Sequence, residues 1–312
     1  MLSVGIYRRL LQLTSPVISI IPPRIRLLLA IALKYPGLQT LFDPNSIKNY
    51  SSLKYKPCFK KINMDDGTQI YADINDLIGF RIALNKKWDK TTYNFFKFLK
   101  QKDILYLDIG ANIGSTCIPI AKLGYETIAI EANPETSSIL LKNISLNSAA
   151  NIRVFPIAVG PKKLNRTFVD IYSQPGNMGA TSVNKDWDSG LNTQQVQSVY
   201  LTTVDDIFKF LDKFASNKNI ELIIKIDVEG FETEVLDGAE ETINYFRPEI
   251  IFENNPSTDS SKSLFWHSLI DYTIFAISPE IEFSHFNKNA RLENAIAIPN
   301  EKLSIITSKT LP

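Results

Sequence analysis

A carboxylate standing just ahead of two glycines carries the clearest chemistry in this chain: Asp108-Ile109-Gly110-Ala111-Asn112-Ile113-Gly114. Gly110 and Gly114 let the backbone turn tightly and approach a ligand closely. The N–H groups that open the following helix then face that ligand. A nicotinamide-dinucleotide site shows G-x-G-x-x-G, whereas here three residues separate the two glycines. Asp108 discriminates further by charge. It repels a pyrophosphate and is compatible with S-adenosylmethionine, which brings a sulfonium, an α-ammonium group and a ribose. Glu131 lies 23 residues after Asp108, at the end of the next apolar run, where an acid accepts hydrogen bonds from ribose hydroxyls in doubly wound sheets. An NAD-dependent oxidoreductase remains the enzymatic alternative, with Asp108 and the missing third glycine against it.

A second constellation is Lys225, Asp227, Glu229 and Glu232, at the end of a Val/Ile/Leu-rich run. Ligands of open α/β sheets bind outside the carboxyl ends of the strands. Strand alternation places Lys225, Asp227 and Glu229 on one side and Val228 on the other. Chemistry on an acceptor hydroxyl there would need an in-line approach and a base within reach of the hydroxyl proton. Asp227 or Glu229 fits that role, and Lys225 is suited to steering the acid or stabilising an alkoxide. The structural alternative is a Lys–Asp pair that knits the top of the sheet. His267 and His285 are further titratable groups in apolar and loop-like contexts. Asn177, Gly179 and Ser182 read either as a lid over the acceptor or as turn chemistry.

The surrounding pattern supplies the scaffold. Short hydrophobic runs alternate with helical segments from about residue 62, the mark of a parallel sheet with crossover helices. Strands are expected at 104–109, 127–131, 152–159, 221–227, 249–253, 273–277 and 294–298, and helices at 115–123, 134–147, 203–214, 232–245 and 262–270. A polar stretch over 160–200 holds two strand-like pieces, 167–172 and 197–201, as a hairpin insertion with a mobile loop. The fold class is therefore α/β: a doubly wound, Rossmann-like, mostly parallel seven-stranded sheet with helices on both faces. An N-terminal helical arm, 1–61, precedes a main domain, 62–312.

Composition narrows the classes. The 312 residues are 44% hydrophobic and 21% charged, enough for a sizeable core and unlike a disordered or multi-span membrane chain. The net charge of +1 is far from that of a general nucleic-acid binder. Two cysteines, Cys58 and Cys117, are too few for a disulfide scaffold, and two histidines do not make a His/Cys zinc cluster. A cytoplasmic protein without a signal peptide is the expectation. Residues 1–61 nevertheless hold ten Lys/Arg against one acid, a segment charge of +9. With its apolar stretches at 17–21 and 27–33, that arm suits either packing on the main domain or peripheral contact with an anionic membrane. Trp88, Trp187, Trp266 and Tyr172 fit core positions or stacking on a sugar ring.

The motifs, taken together, resemble the FkbM-type S-adenosylmethionine-dependent methyltransferases. They are Asp108–Gly114, Glu131-Ala132-Asn133-Pro134, Ala158-Val159-Gly160, Asn177-Met178-Gly179, Lys225 through Glu232, Val235 through Ala239, and Arg247-Pro248-Glu249 with Glu253. They run in the expected order over about residues 100–256, and Ala132 departs from the proline usual there. The resemblance implies transfer of a methyl group to a hydroxyl of a sugar, glycolipid or secondary metabolite. It implies S-adenosyl-L-methionine as cofactor, held by Asp108, Gly110, Ala111, Asn112, Gly114 and Glu131, with Ala158 beside the adenine. Asp227, Glu253 and Asn254 are arranged in a manner similar to the magnesium ligands of catechol-type methyltransferases, and hard oxygen donors suit Mg²⁺; the same residues also suit a plain strand end. The first 90 and last 50 residues carry no such motif, which is where acceptor choice is expected. A cofactor-binding or membrane-docked module without turnover is the non-enzymatic alternative.

Overall fold

The computed structural model describes residues 21–32, 56–99, 103–174, 176–185, 194–211, 220–254, 269–286 and 293–303. Expectations for the rest of the 1–61 arm, for Trp187, Trp266 and His267, and for nearly all of the 262–270 helix lie outside the described residues. The chain divides into two compact units. The smaller comprises Met1–Trp88, Ser173–Thr181 and Gly190–Gln194, and the larger holds Asp89–Tyr172, Ser182–Ser189 and Gln195–Pro312.

In the smaller unit, helix α1 (Pro23–Ala32) is followed by an antiparallel pair, β1 (Phe59–Asn63) and β2 (Gln69–Asp73), and by helix α2 (Leu77–Asn85). The β1–β2 pair is closed by Phe59 stacked on Tyr71 at 4.9 Å. Asp76 caps α2 by accepting the Ile78 N–H, satisfying one of the donors a helix start leaves open. Arg26 of α1 is buried and donates to the Asn75 side-chain carbonyl. Strand β1 spans residues 61 and 62.

The larger unit opens with α3 (Lys90–Leu99), β3 (Ile104–Ile109), α4 (Cys117–Lys122), β4 (Glu126–Ile130), α5 (Pro134–Asn147) and β5 (Ile152–Phe155). Then come β6 (Ala158–Val159), β7 (Thr167–Gln174), β8 (Asn177–Ser182, grouped through Thr181 with the smaller unit), β9 (Gln194–Thr202), α6 (Val204–Phe210) and β10 (Glu221–Ile226). Helices α7 (Glu232–Asp237) and α8 (Glu240–Phe246) precede β11 (Glu249–Asn254), β12 (Tyr272–Ile277), β13 (Phe283–His285) and β14 (Glu293–Pro299). The main sheet runs β13-β12-β14-β11-β10-β3-β4-β5. Its five strands from β11 to β5 are parallel, and β14, β12 and β13 join antiparallel. The expected sheet is thus present, with three-residue β13 as an added edge.

Strand β3 is buried at every position, as a strand covered on both faces must be. On one face Leu107, Ile109, Leu222, Ile224 and Ile226 pack with Val204, Ile207, Val235 and Leu236 of α6 and α7. On the other, Phe96 of α3 meets Tyr106 edge-on at 4.7 Å. Two expected elements are divided. The 152–159 strand ends at Phe155, because Pro156 has no N–H for the ladder, and Ala158–Val159 pair instead with Leu201–Thr202 of β9. The 232–245 helix breaks at Gly238, where an added Cβ would stand 2.0 Å from the Gly160 carbonyl oxygen. Strands β6, β9 and β7 lie side by side in a second sheet.

Candidate active site

The glycine turn follows β3 directly. The Gly110 and Ala111 N–H groups both donate to the Ile130 carbonyl at 2.9 Å, so the turn is tied to the end of β4. Gly110 has φ +85°, and a Cβ there would lie 1.9 Å from the Asp227 carbonyl oxygen. The turn therefore rests against the end of β10. Gly114, at φ +87°, leaves room for the side chains of Leu140 and Ile118. Asn112 is itself left-handed, at φ +51°, a conformation asparagine tolerates better than most residues. Its N–H donates to Glu131 Oε2 at 2.9 Å, and Glu131 Oε1 accepts the Asn133 N–H at 2.8 Å. Glu131 is held by backbone at both oxygens, each of which keeps a further lone pair. Burial raises its pKa to about 7, against the lowering effect of those two N–H groups.

Asp108 is Cα-paired with Lys225 across the β3–β10 ladder, so the two side chains leave the same face of the sheet. Asp108 is fully buried and neither of its oxygens has a hydrogen-bond partner. Its pKa rises to about 6, chiefly through burial, with Lys225 as the main opposing influence. The Tyr106 hydroxyl is near enough to lower that pKa, yet makes no hydrogen bond of normal geometry. Asp89, ahead of α3, adds its charge to Asp108 and Lys225. One Asp89 oxygen accepts the Thr92 N–H at 3.1 Å while the other is buried without a partner. Sequence reasoning missed Asp89 and Tyr106.

Lys225 Nζ donates to Asp227 Oδ2 at 2.8 Å. Burial alone would lower the lysine pKa; Asp227, Asp108 and Asp89 outweigh it and raise it. Beyond Ile226 the chain leaves the strand conformation, with Glu229 at φ +52° and Gly230 at φ +84°. The expected placement of Lys225, Asp227 and Glu229 along one extended side is corrected accordingly: Lys225 and Asp227 meet, and the turn redirects Glu229. Its carboxyl is raised well above the ordinary range by burial, then by Asp227, Glu232 and Glu253. Glu232 accepts the Gly230 N–H at 3.0 Å and is itself raised by burial.

Other candidates fall elsewhere. Ala158 is 3% exposed within the core of the second sheet and offers little surface to a ligand. His285 is on β13, separated from β10 by β12, β14 and β11. Ser182 is buried and its hydroxyl accepts the Asn184 N–H, a side-chain turn. Asn177 and Gly179 belong to strand β8, and the Met178 N–H between them donates to Asp76 at 2.7 Å. Among the described residues no three His, Cys, Asp or Glu side chains gather so as to hold a metal ion. The magnesium expectation for Asp227, Glu253 and Asn254 does not fit this arrangement. Asp227 Oδ2 binds the Lys225 ammonium at 2.8 Å, Glu253 is solvent-exposed, and the Asn254 side chain lies outside the described residues.

Residues 108–290 match the Methyltransferase FkbM domain. The chain belongs to the FkbM methyltransferase family. The FkbM match opens at Asp108 and spans both the glycine turn and the cluster at the end of β10. Hexuronic acid methyltransferase AglP of Haloferax volcanii is 28% identical over 155 residues, 48% of this chain and 57% of AglP. The chain thus spans little more than half the length of that relative. The crystal structure of Methyltransferase FkbM from Methylobacillus flagellatus KT aligns with TM-score 0.42 and 17% identity, over 68% of this chain and 48% of that one. An O-methyltransferase from Bacillus cereus, in complex with SAH, aligns with TM-score 0.39 and 12% identity over 68% and 82% of the two chains.

Proposed function

We propose that this FkbM-family chain transfers a methyl group from S-adenosylmethionine to a hydroxyl oxygen of a sugar, whether free, in a glycolipid or in a secondary metabolite. The observation that carries the reading is the junction of two sites on adjacent strands. The Asp227 N–H donates to the Ile109 carbonyl at 3.0 Å, and Gly110 sits under the Asp227 carbonyl. A ligand in the glycine turn therefore lies beside Lys225, Asp227 and Glu229.

The residues present fit the donor. Asp108 holds two buried oxygens without partners, and Asp227, Asp108 and Asp89 set negative charge around Lys225. That field suits a sulfonium and an ammonium group and opposes a pyrophosphate. Glu131 would accept the ribose hydroxyls, the Gly110–Gly114 backbone would lie along the adenosyl moiety, and Asp108 would complement the amino-acid end. When bound, S-adenosylmethionine supplies an electrophilic methyl on sulfur, so that a carbon–sulfur bond breaks as the carbon–oxygen bond forms and S-adenosylhomocysteine leaves.

The chain's own residues handle the acceptor and its proton. Asp227 is committed to Lys225, whose ammonium holds it in place. Among the described residues Glu229 makes no ion pair of that kind, and burial raises its carboxyl, so it is the freer of the two to take a proton. It takes the hydroxyl proton as oxygen attacks. The same negative field disfavours a carboxylate as acceptor and favours a neutral hydroxyl. A sugar is the chosen class because AglP is described as acting on a hexuronic acid. Transfer of labelled methyl from S-adenosylmethionine to a panel of sugars and glycolipids tests this; label recovered on nitrogen or carbon instead of oxygen contradicts it.

Glu131 gives the reading a pH signature. Its carboxyl titrates at about 7, and only the ionised form accepts from ribose with both oxygens. Affinity for S-adenosylhomocysteine is expected to rise as pH increases from about 6 to about 8. In Glu131→Gln, calorimetry should show binding weaker by about 10- to 100-fold, the worth of hydrogen bonds to a charged group, and much of the pH slope gone. An identical slope in the variant would remove Glu131 from the binding site.

We also propose that α1 contributes to peripheral membrane contact. Among the described residues no helix is long and apolar enough to cross a membrane, but α1 exposes Ile25, Leu28 and Leu29 next to the exposed Arg24. The full chain should float with anionic vesicles and not with neutral ones; failure to float with either contradicts this.

A further inference from the structure

We propose that Phe231 is a positioning residue, its ring wedged beneath Gly160 in the core of the second sheet and holding the turn that presents Glu229. The inference rests on the methyl-transfer reading above and adds to it the device that fixes the base.

The turn has little of its own to hold it. It begins where the Asp227 N–H donates to Ile109 and ends where the Val235 N–H donates to the Phe231 carbonyl, opening α7. Between those points Glu229 and Gly230 are both left-handed, and for a glutamate that conformation is strained unless its surroundings enforce it. The Gly230 N–H is taken by Glu232. Apolar anchorage comes from Val228 and Phe231, and Phe231 is 8% exposed among Ala158, Ile171, Val199 and Leu201 of the second sheet.

The fit of the ring depends on one missing methyl group. A Cβ on Gly160 would stand 2.8 Å from Phe231 Cε1 and 3.0 Å from Leu201 Cδ1. Gly160 cannot retreat from the ring. Its N–H donates to the Thr202 carbonyl at 3.0 Å, and its own carbonyl is packed under Gly238, whose added Cβ would lie 2.0 Å away. Gly160 and Gly238 thus form a rigid floor, and the Phe231 ring is the movable part. A methyl added at Gly160 presses on the Phe231 ring first and on Leu201 Cδ1 next, and the push on Phe231 reaches the left-handed pair one and two residues earlier. The glycine turn that carries Asp108, Asn112 and the Glu131 contacts is built from other residues and is left in place.

The test uses the full-length chain, with S-adenosylmethionine and the best sugar acceptor for turnover and S-adenosylhomocysteine for binding. Gly160→Ala is expected to lower kcat by about 10- to 100-fold, the scale of a small misplacement of a reacting group, with S-adenosylhomocysteine affinity within about twofold of wild type. Gly160→Ala combined with Phe231→Leu, which makes room for the methyl, should recover part of that loss. Hydrogen exchange supplies a readout independent of turnover: amides of residues 227–232 should exchange faster in Phe231→Leu, while those of 110–114 stay as in wild type. Unchanged kcat and unchanged exchange in Phe231→Leu would overturn the proposal, whether or not Gly160→Ala folds. So would a double variant no better than Gly160→Ala, or an affinity loss as large as the loss of kcat. A wild-type chain that transfers no methyl would instead sink the methyl-transfer reading, and the exchange experiment would still decide on the wedge.

Discussion

Glu229→Gln is expected to lower kcat by about 10²- to 10⁴-fold, the usual contribution of a positioned general base. The amide keeps the shape of the carboxylate and loses its ability to take a proton. Affinity for S-adenosylhomocysteine should change little, because Glu229 lies in the turn after β10 and the cofactor contacts are assigned to the turn after β3. The wild-type pH profile carries a second signature. Glu229 is raised well above the ordinary carboxylate range by burial, then by Asp227, Glu232 and Glu253. A base must be ionised to act, so kcat/KM falls as pH drops through that raised pKa and levels off above it. The acidic limb should disappear in Glu229→Gln. Full activity in that variant would mean that the acceptor oxygen needs no deprotonation, as for a carboxylate, and would remove Glu229 from the mechanism.

Gly110→Ala should give the largest combined loss of stability and binding. At φ +85° an alanine is strained, and its Cβ would lie 1.9 Å from the Asp227 carbonyl oxygen, a backbone atom that cannot rotate aside. Left-handed strain costs about 1–3 kcal/mol, and overpacking costs roughly another 1–3 kcal/mol. Together these are a large share of the roughly 5–15 kcal/mol that typically separates folded from unfolded chains. A fall in Tm of roughly 5–20 °C is expected by calorimetry, given about 2–4 °C per kcal/mol for domains of comparable size. Relief requires moving the turn away from β10, which separates the two halves of the site, so S-adenosylhomocysteine binding should fall below detection. A Tm within a few degrees of wild type, with normal affinity, would show that the β3 turn and the β10 end are not in the contact described.

The parts of this fold that were legible in the sequence are those determined locally. Strand β3 and helix α5 match their expected limits: β3 is an apolar run closed by a glycine turn, and α5 has Asn133 capping Glu135 and Pro134 in its first turn. What could not be read depends on distant partners. The break at Gly238 exists because Gly160 lies against it, and no local pattern contains that contact. The left-handed Glu229 escaped an argument from strand alternation, although Gly230 signals a turn at that point. Asp89 had a readable signal as a helix-start residue, being three positions ahead of Thr92, whose N–H it accepts. Its nearness to Asp108 and Lys225 follows from α3 packing on the sheet through Phe96 and Tyr106, which local spacing does not reveal. The third strand was expected to run on to Val159, whereas the chain changes sheets after Pro156 and Ala158–Val159 join β9, a pairing set by a strand far along the chain.

The most direct measurement is parallel calorimetric titration of the purified chain with S-adenosylhomocysteine and with NAD. An acidic pocket around a backbone-held Glu131 predicts saturable binding of the sulfur nucleoside, displaced by S-adenosylmethionine, and no heat from the dinucleotide. Saturable NAD binding with none for S-adenosylhomocysteine would contradict the account at its base.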